Sequence, residues 1–307
     1  MITTLTHKEP AKSLVIAAFA AVYLIWGSTY VGIALAIKSV PPFLMAGLRF
    51  FAAGFILFAW CLATGEKVQP LASFVKSAFA GVLMLGVGTT ALIWSEQYLP
   101  SGLAAVIVAS IPLFFVLMDK KHWRQNFADK FIVTGLVIGF AGIIFLFEGK
   151  GSLNLQSSSQ LAGFIVLVVG SLFWAGGSLY AKYAHAEGST LMKAAVQMMA
   201  AGIAAFVAAL IAGETHGFAW SNVTASSIYA MLYLVFIGSL IGYIAYIWLL
   251  GVRPPALVGT YAYVNPVVAV FLGWLLDNET ITMQQIIALL VILAGVLLVN
   301  FSKYRKG

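Results

Sequence analysis

The chain has 307 residues, 62% hydrophobic and only 9% charged, with a mean hydropathy of +1.00. A water-facing shell needs about a quarter of charged residues, so this composition excludes a soluble enzyme, a disordered protein and a coiled coil, and despite a net charge of +7 it excludes a nucleic-acid reader. Lipid must be the solvent for most of the surface, and the single Cys61 leaves no intramolecular disulfide to form.

A helix crosses about 30 Å of hydrocarbon with about 20 mostly apolar residues. Ten runs of that kind follow one another at 13–37, 43–63, 76–98, 101–118, 130–147, 161–183, 191–212, 226–250, 256–276 and 282–301. They are too long and too uniformly apolar for barrel strands, which alternate over about ten residues. The first is too long for the core of a signal peptide and should stay as a membrane helix. The expectation is an all-α membrane protein of ten transmembrane helices.

Lys and Arg orient the spans. Segments on the side of residue 1 carry fourteen of them, with Lys120, Lys121 and Arg124 clustered in one loop, whereas the opposite side carries only Lys38 and Lys150. This asymmetry predicts a bacterial inner-membrane protein with both termini in the cytoplasm, and it accounts for the basic balance without an anionic partner.

The chain also matches itself. A shift of 154 lays Gly88, Ala91, Ile93, Trp94, Pro100, Leu103, Pro112 and Val116 on Gly242, Ala245, Ile247, Trp248, Pro254, Leu257, Pro266 and Val270. A shift of 148 lays Trp26 on Trp174 and Ala52-Ala53-Gly54 on Ala200-Ala201-Gly202, and a shift of 153 aligns the fifth run with the tenth. Repeats of this length mark a duplicated unit. The units are expected at 13–147 and 161–301, joined by a periplasmic linker at 148–160. Five helices per unit is odd, so the second copy would enter the membrane from the opposite side. Inverted repeats give one motif two mirror-related conformations and so favour alternating access around a midplane site.

Trp26-Gly27-Ser28-Thr29-Tyr30, Pro41-Pro42 with Met45-Ala46-Gly47-Leu48-Arg49-Phe50, Pro100-Ser101-Gly102-Leu103-Ala104-Ala105 and Ile111-Pro112-Leu113-Phe114 resemble the first EamA domain of the drug/metabolite transporter superfamily. Ala262-Tyr263-Val264-Asn265-Pro266-Val267-Val268-Ala269-Val270 and Asn278-Glu279-Thr280 resemble the second. This resemblance implies ten helices in two inverted halves, cytoplasmic termini, and export of amino acids, related metabolites or drugs from a central cavity.

Charges inside a span cost roughly 2.5–3.5 kcal/mol on insertion scales and are functional candidates by default. Arg49 and Glu96 are the ones available. The long Arg49 side chain could pair with Glu96, snorkel to the headgroups, or hold a substrate carboxylate or phosphate with its planar fork. Gln197 takes the place of Arg49 in the second half. Trp26 and Trp174 stand mid-span, away from the interfacial depth that tryptophan prefers, with Tyr30 and Ser178 one turn on. Either close packing or a cavity wall would explain them. Tyr261 and Asn265 share a face one turn apart, just before Pro266, and could satisfy the carbonyl that proline frees or hold a substrate. Pro112 and Pro266 are hinge candidates. Small-xxx-small pairs at Gly135 and Gly139 and at Gly238 and Gly242 suit close helix contact.

There is no GxxxxGK[ST] cradle, HExxH or GxSxG spacing, and His7, His122, His185 and His216 fall in terminal or loop segments. No metal or other cofactor is expected, and proton coupling would have to use Glu96. The expected substrate-binding set is Trp26, Tyr30, Arg49, Trp174, Gln197, Tyr261 and Asn265, in a non-enzymatic exporter of small amphipathic solutes. A lipid or lipid-linked translocase is the alternative. The expected partners are the solute and the bilayer, with no nucleic acid. A monomer would suffice and a dimer is not implied.

Overall fold

The computed structural model describes residues 10–99, 101–147, 157–277 and 283–304. Among them every regular element is helical. The helices are α1 (Lys12–Ala36), α2 (Pro42–Ala63), α3 (Leu71–Ser95), α4 (Ser101–Val108), α5 (Ile111–Met118), α6 (Trp123–Ala128), α7 (Lys130–Phe147), α8 (Ser158–Tyr183), α9 (Thr190–Ile211), α10 (Ala225–Val252), α11 (Pro255–Val258), α12 (Tyr261–Asp277) and α13 (Met283–Tyr304). Six of these, α1, α2, α3, α8, α9 and α10, are long and apolar enough to cross a membrane. A seventh is added if the bent pair at Lys120–Ala128 and Lys130–Phe145, meeting at 89°, counts as one span.

Local chemistry sets the ends. Pro42 opens α2 at a position where its missing N–H costs nothing. Ser189 caps α9 by accepting from the Met192 N–H at 3.0 Å, and Thr224 caps α10 by accepting from the Ser227 N–H at 3.3 Å. Helices α2 and α9 finish in the same way. Gly65 (φ 85°) and Gly213 (φ 71°) adopt the left-handed conformation, and the following amides of Glu66 and Glu214 reach back to Cys61 O and Ala209 O, both at 2.9 Å.

Helices α2 and α9 pack so closely that a Cβ on Gly54 would lie 2.5 Å from Met199 N, and one on Gly202 would lie 2.5 Å from Phe51 N. Helices α7 and α13 approach similarly, with a Cβ on Gly135 falling 2.7 Å from Gly295 O. The Gly135–Gly139 pair therefore serves helix contact, as its spacing suggests. Helix α1 packs on α10 and α12, while α8 packs on α3 and α5.

Two kinds of feature depart from the uninterrupted runs expected at 76–98, 101–118, 226–250 and 256–276. The run at 101–118 is broken between α4 and α5 at Ala109–Ser110, and that at 256–276 between α11 and α12 at Gly259–Thr260. Helices α3 and α10 each contain a π-helical stretch, Val82–Thr89 and Leu234–Tyr243. Apolar continuity reports lipid exposure, not backbone register, and cannot reveal either feature. Pro112 sits in the first turn of α5 and Pro266 inside an otherwise continuous α12, so both breaks precede the prolines. Pro100, Asn278-Glu279-Thr280 and most of the 148–160 linker lie outside the described residues.

Candidate functional site

Both π stretches, a helix type frequent at functional sites, contribute residues to the site. Trp26 Nε1 donates to Gly238 O at 3.2 Å. A Cβ on Gly242 would lie 2.7 Å from Trp26 Nε1, and one on Gly88 would lie 3.0 Å from Trp174 Cβ. Each mid-span tryptophan thus seats on a glycine of a π stretch, Trp26 on α10 and Trp174 on α3. Gly238 also leaves the space that Arg49 Nη2 fills, 3.0 Å from where a Cβ would stand.

Trp26, Trp174, Tyr246 and Tyr261 form one aromatic cluster, with Trp26 centroids 5.5, 5.0 and 4.9 Å from the other three. Edge-on and tilted contacts of this kind fix ring orientation. Ser178 and the Tyr246 hydroxyl are hydrogen-bonded at 2.7 Å, holding the ring that Trp26 and Trp174 share.

Trp26, Trp174 and Tyr261 of this cluster form one wall of a cavity with about 670 Å³ of empty space, including its open mouth. Trp26, Tyr30, Arg49, Trp174, Tyr261 and Asn265 all line it, so residues from α1, α2, α8 and α12 converge. Gln197 does not. It faces a second cavity, lined by Lys182, His185, Thr190 and Lys193, and its Oε1 accepts from the Tyr243 hydroxyl at 2.9 Å. Tyr243 lines the first cavity. That hydrogen bond joins the lining of one space to the lining of the other.

Arg49 is 4% exposed, in a position where an uncompensated charge is costly. Its Nε donates to Ser239 Oγ at 3.0 Å and its guanidinium lies 5.0 Å from the Phe50 ring centroid, while Nη1 has no hydrogen-bond partner. The direct Arg49–Glu96 ion pair considered from the sequence is not formed, since no such contact within 4.0 Å joins them. Both Glu96 carboxylate oxygens are buried without a partner.

Ser239, Thr29, Tyr243, Ser171 and Met198 also line the cavity, and the sequence did not single them out. Hydroxyls of this sort commonly bond their own helix, as Thr29 does to Trp26 O at 2.7 Å and Ser171 to Leu167 O at 2.8 Å. Tyr243 had a signal: it closes the stretch Gly238-x-x-x-Gly242-Tyr243. Among the described residues no group of three or more His, Cys, Asp or Glu side chains could hold a metal.

The sequence model of the EamA-like transporter family matches residues 13–148 and again 161–301. This chain belongs to that family. It is 40% identical over 289 residues to "uncharacterized inner membrane transporter YedA" of Escherichia coli K12, covering 92% of this chain and 90% of that protein. It is 26% identical to "uncharacterized transporter YoaV" of Bacillus subtilis, covering 93% and 96%, and 26% identical to a "probable amino-acid metabolite efflux pump" of Escherichia coli K12, covering 93% and 95%. A crystal structure 19% identical to it superposes with a TM-score of 0.76 over 96% of this chain and 99% of its own, which shows a shared fold. The EamA protein described here is thus a multi-pass membrane transporter, and its cavity is the place to look for what it carries.

Proposed function

We propose that this transporter is a secondary exporter that moves small amphipathic metabolites, amino acids or related compounds, out of the cytoplasm by alternating access. The observation that carries the proposal is the cavity itself. It lies within the helix bundle, walled by aromatic rings, with an Arg49 guanidinium that is buried and only partly hydrogen-bonded. Ligand sites pair a largely apolar wall with a few convergent polar groups that set orientation.

The alternating-access part rests on how helices pair. In the ten-span, two-half reading, α2 and α9 are counterparts, as are α7 and α13, and in each case the counterparts pack on each other. Helix α1 with α10 and α12 mirrors α8 with α3 and α5. The π stretches at Val82–Thr89 and Leu234–Tyr243 overlap under the 154-residue shift. Such reciprocity lets either half exchange roles around a fixed site. Trp26, Tyr30, Arg49, Trp174, Tyr261 and Asn265 are assigned to substrate contact. Gln197 is assigned to the barrier below it through Tyr243.

Metabolite profiling of the medium from cells that overexpress or lack the gene tests this reading. Accumulation of a defined set of small solutes with overexpression, and its loss on deletion, is expected. Movement of labelled lipid without solute in proteoliposomes would replace the reading with a lipid translocase.

A further inference from the structure

The end of the bundle where α5, α8 and α10 finish holds a buried acid with partners from both sides. Asp119 follows the last residue of α5 and is buried. The Tyr183 hydroxyl, at the end of α8, donates to both of its oxygens, at 3.1 and 3.0 Å, and His122 Nδ1 lies 3.2 Å from each. His122 Nδ1 is also 3.1 Å from the Tyr183 hydroxyl oxygen. Tyr183 has one proton and turns it to the carboxylate, so the imidazole nitrogen that faces these acceptors carries a proton of its own. Lys121 Nζ stands 4.7 Å from the Tyr183 ring centroid and adds a cation–π contact to the same ring. Hydrogen bonds to an ionised carboxylate are roughly twice as strong as those between neutral groups.

The placement of this cluster gives it a role. It joins the segment matched at 13–148 to the one matched at 161–301. It also stands clear of the central cavity. Along α8 no residue past Trp174 lines that cavity, and Tyr183 is nine residues farther on, about 13 Å at the helical rise. Along α5 only Ile111, at its start, lines it. Beside the cluster, Lys182 fastens α8 to the end of α10 through Leu250 O and Arg253 O. The pair is not repeated in sequence: the 148-residue shift puts Leu35 at the place of Tyr183, and the 154-residue shift puts Gly273 at that of Asp119.

We infer that Asp119, Tyr183 and His122 form a one-sided latch between the two segments, which holds the path from the central cavity closed at this end and breaks in the state that opens there. The inference rests on the alternating-access reading and goes beyond it by naming the contact that sets which state the empty protein prefers. Opening would bring water to Asp119 in place of Tyr183, so losing the hydroxyl penalises the closed state alone. An equilibrium shifts only by such a difference between its two states. With no matching pair in the repeated positions, the bias runs one way, and the empty transporter rests closed at the latch.

The test measures N-ethylmaleimide labelling of the purified full-length protein in liposomes, in a Cys61→Ala background, with one reporter cysteine at a time. Ser178→Cys keeps nearly the native size at a fully buried position between Tyr183 and the cavity, and Thr89→Cys lies in the cavity wall. Tyr183→Phe keeps the ring and removes the hydroxyl. It is expected to raise the labelling rate of Ser178→Cys about tenfold, the scale of one hydrogen bond to a charged group, without raising that of Thr89→Cys. Asp119→Asn should also raise it, and the double variant should add little to the larger single effect, since both changes remove one contact. Size-exclusion profiles set aside any misfolded variant, and either single variant is sufficient. Unchanged Ser178→Cys labelling, an equal rise at both reporters, or effects that multiply in the double variant would each overturn the latch. Medium profiling separates the two levels. Export by the wild type with any of those labelling results overturns the latch and keeps the exporter reading, whereas no export by the wild type overturns that reading and the inference with it.

Discussion

The two cavities of the bundle handle charge in opposite ways. In the central one Arg49 is buried, held by Ser239 and surrounded by aromatic rings. In the other, Lys182, His185 and Lys193 sit together around the space, and Lys182 spends two donors on Leu250 O at 2.6 Å and Arg253 O at 2.9 Å. A desolvated charge specifies its partner because an unpaired state is expensive, while a hydrated one attracts broadly and is screened by salt. On the proposed exporter reading, selection falls to the central cavity and recruitment to the basic one, the vestibule, with the Tyr243–Gln197 hydrogen bond joining their linings.

The largest expected effect is at Arg49. Arg49→Ala should abolish export while leaving membrane insertion intact, and Arg49→Lys should retain little, because an ammonium cannot reproduce the fork that bonds Ser239 and a second acceptor together. Export assays beside quantified membrane levels check this, and full activity in both variants would remove Arg49 from the mechanism. The next effect is at the barrier. Tyr243→Phe removes one hydroxyl and its 2.9 Å bond to Gln197, a loss of about 1 kcal/mol or roughly fivefold. If that bond holds the two spaces apart, the turnover number should change by about this factor with KM nearly constant. A variant whose KM alone changes would place Tyr243 in the substrate site instead.

A smaller effect belongs to the vestibule. Lys193 is half-buried in the second cavity. Lys193→Gln should raise KM about two- to threefold for solutes that carry a carboxylate, with the difference fading as salt rises toward 1 M, where the screening length is only about 3 Å. An effect that persists at high salt would make Lys193 a direct, desolvated contact and erase the distinction between the cavities.

How much of this was legible before the structure follows from what sequence encodes. Hydropathy records which segments face lipid, so α1, α2, α3, α8, α9 and α10 were readable as spans. The penalty on intramembrane charge made Arg49 and Glu96 conspicuous, and the absence of an interfacial reason did the same for Trp26 and Trp174. The breaks at Ala109–Ser110 and Gly259–Thr260 left no trace, because they lie within runs that stay largely apolar on both sides of them. Neither did the π stretches, which differ from their surroundings in hydrogen-bond register and not in hydrophobicity. Gln197 shows a further limit. A sequence shift equates it with Arg49, but Tyr243 reaches it from α10 and turns it toward the vestibule, whereas the residue at the place of Tyr243 in the first half is Thr89, too short to do the same.

The smallest effect lies outside the spans and concerns the face opposite the vestibule. Glu214, in the turn after α9, accepts from the N–H of Phe43 at 3.2 Å and of Leu44 at 2.8 Å, closing the first turn of α2. Burial pushes its carboxyl above the ordinary value of 4.5, against the opposing pull of those two amides. A raised folded-state value means the folded protein holds the proton more tightly than the unfolded chain, so this group's contribution to stability is complete below about 4.5 and is lost as pH rises through the shifted value. The bonds to α2 therefore only partly offset the desolvation of the ionised carboxylate. Protection of the Phe43 and Leu44 amides in hydrogen exchange, corrected for the intrinsic pH dependence of exchange, should decline modestly from pH 4.5 upward. In Glu214→Gln, whose amide oxygen can still accept but does not titrate, that decline should be absent. A decline unchanged in the variant would assign it to another group, and protection that rises with pH would mean that the cap outweighs burial at this turn.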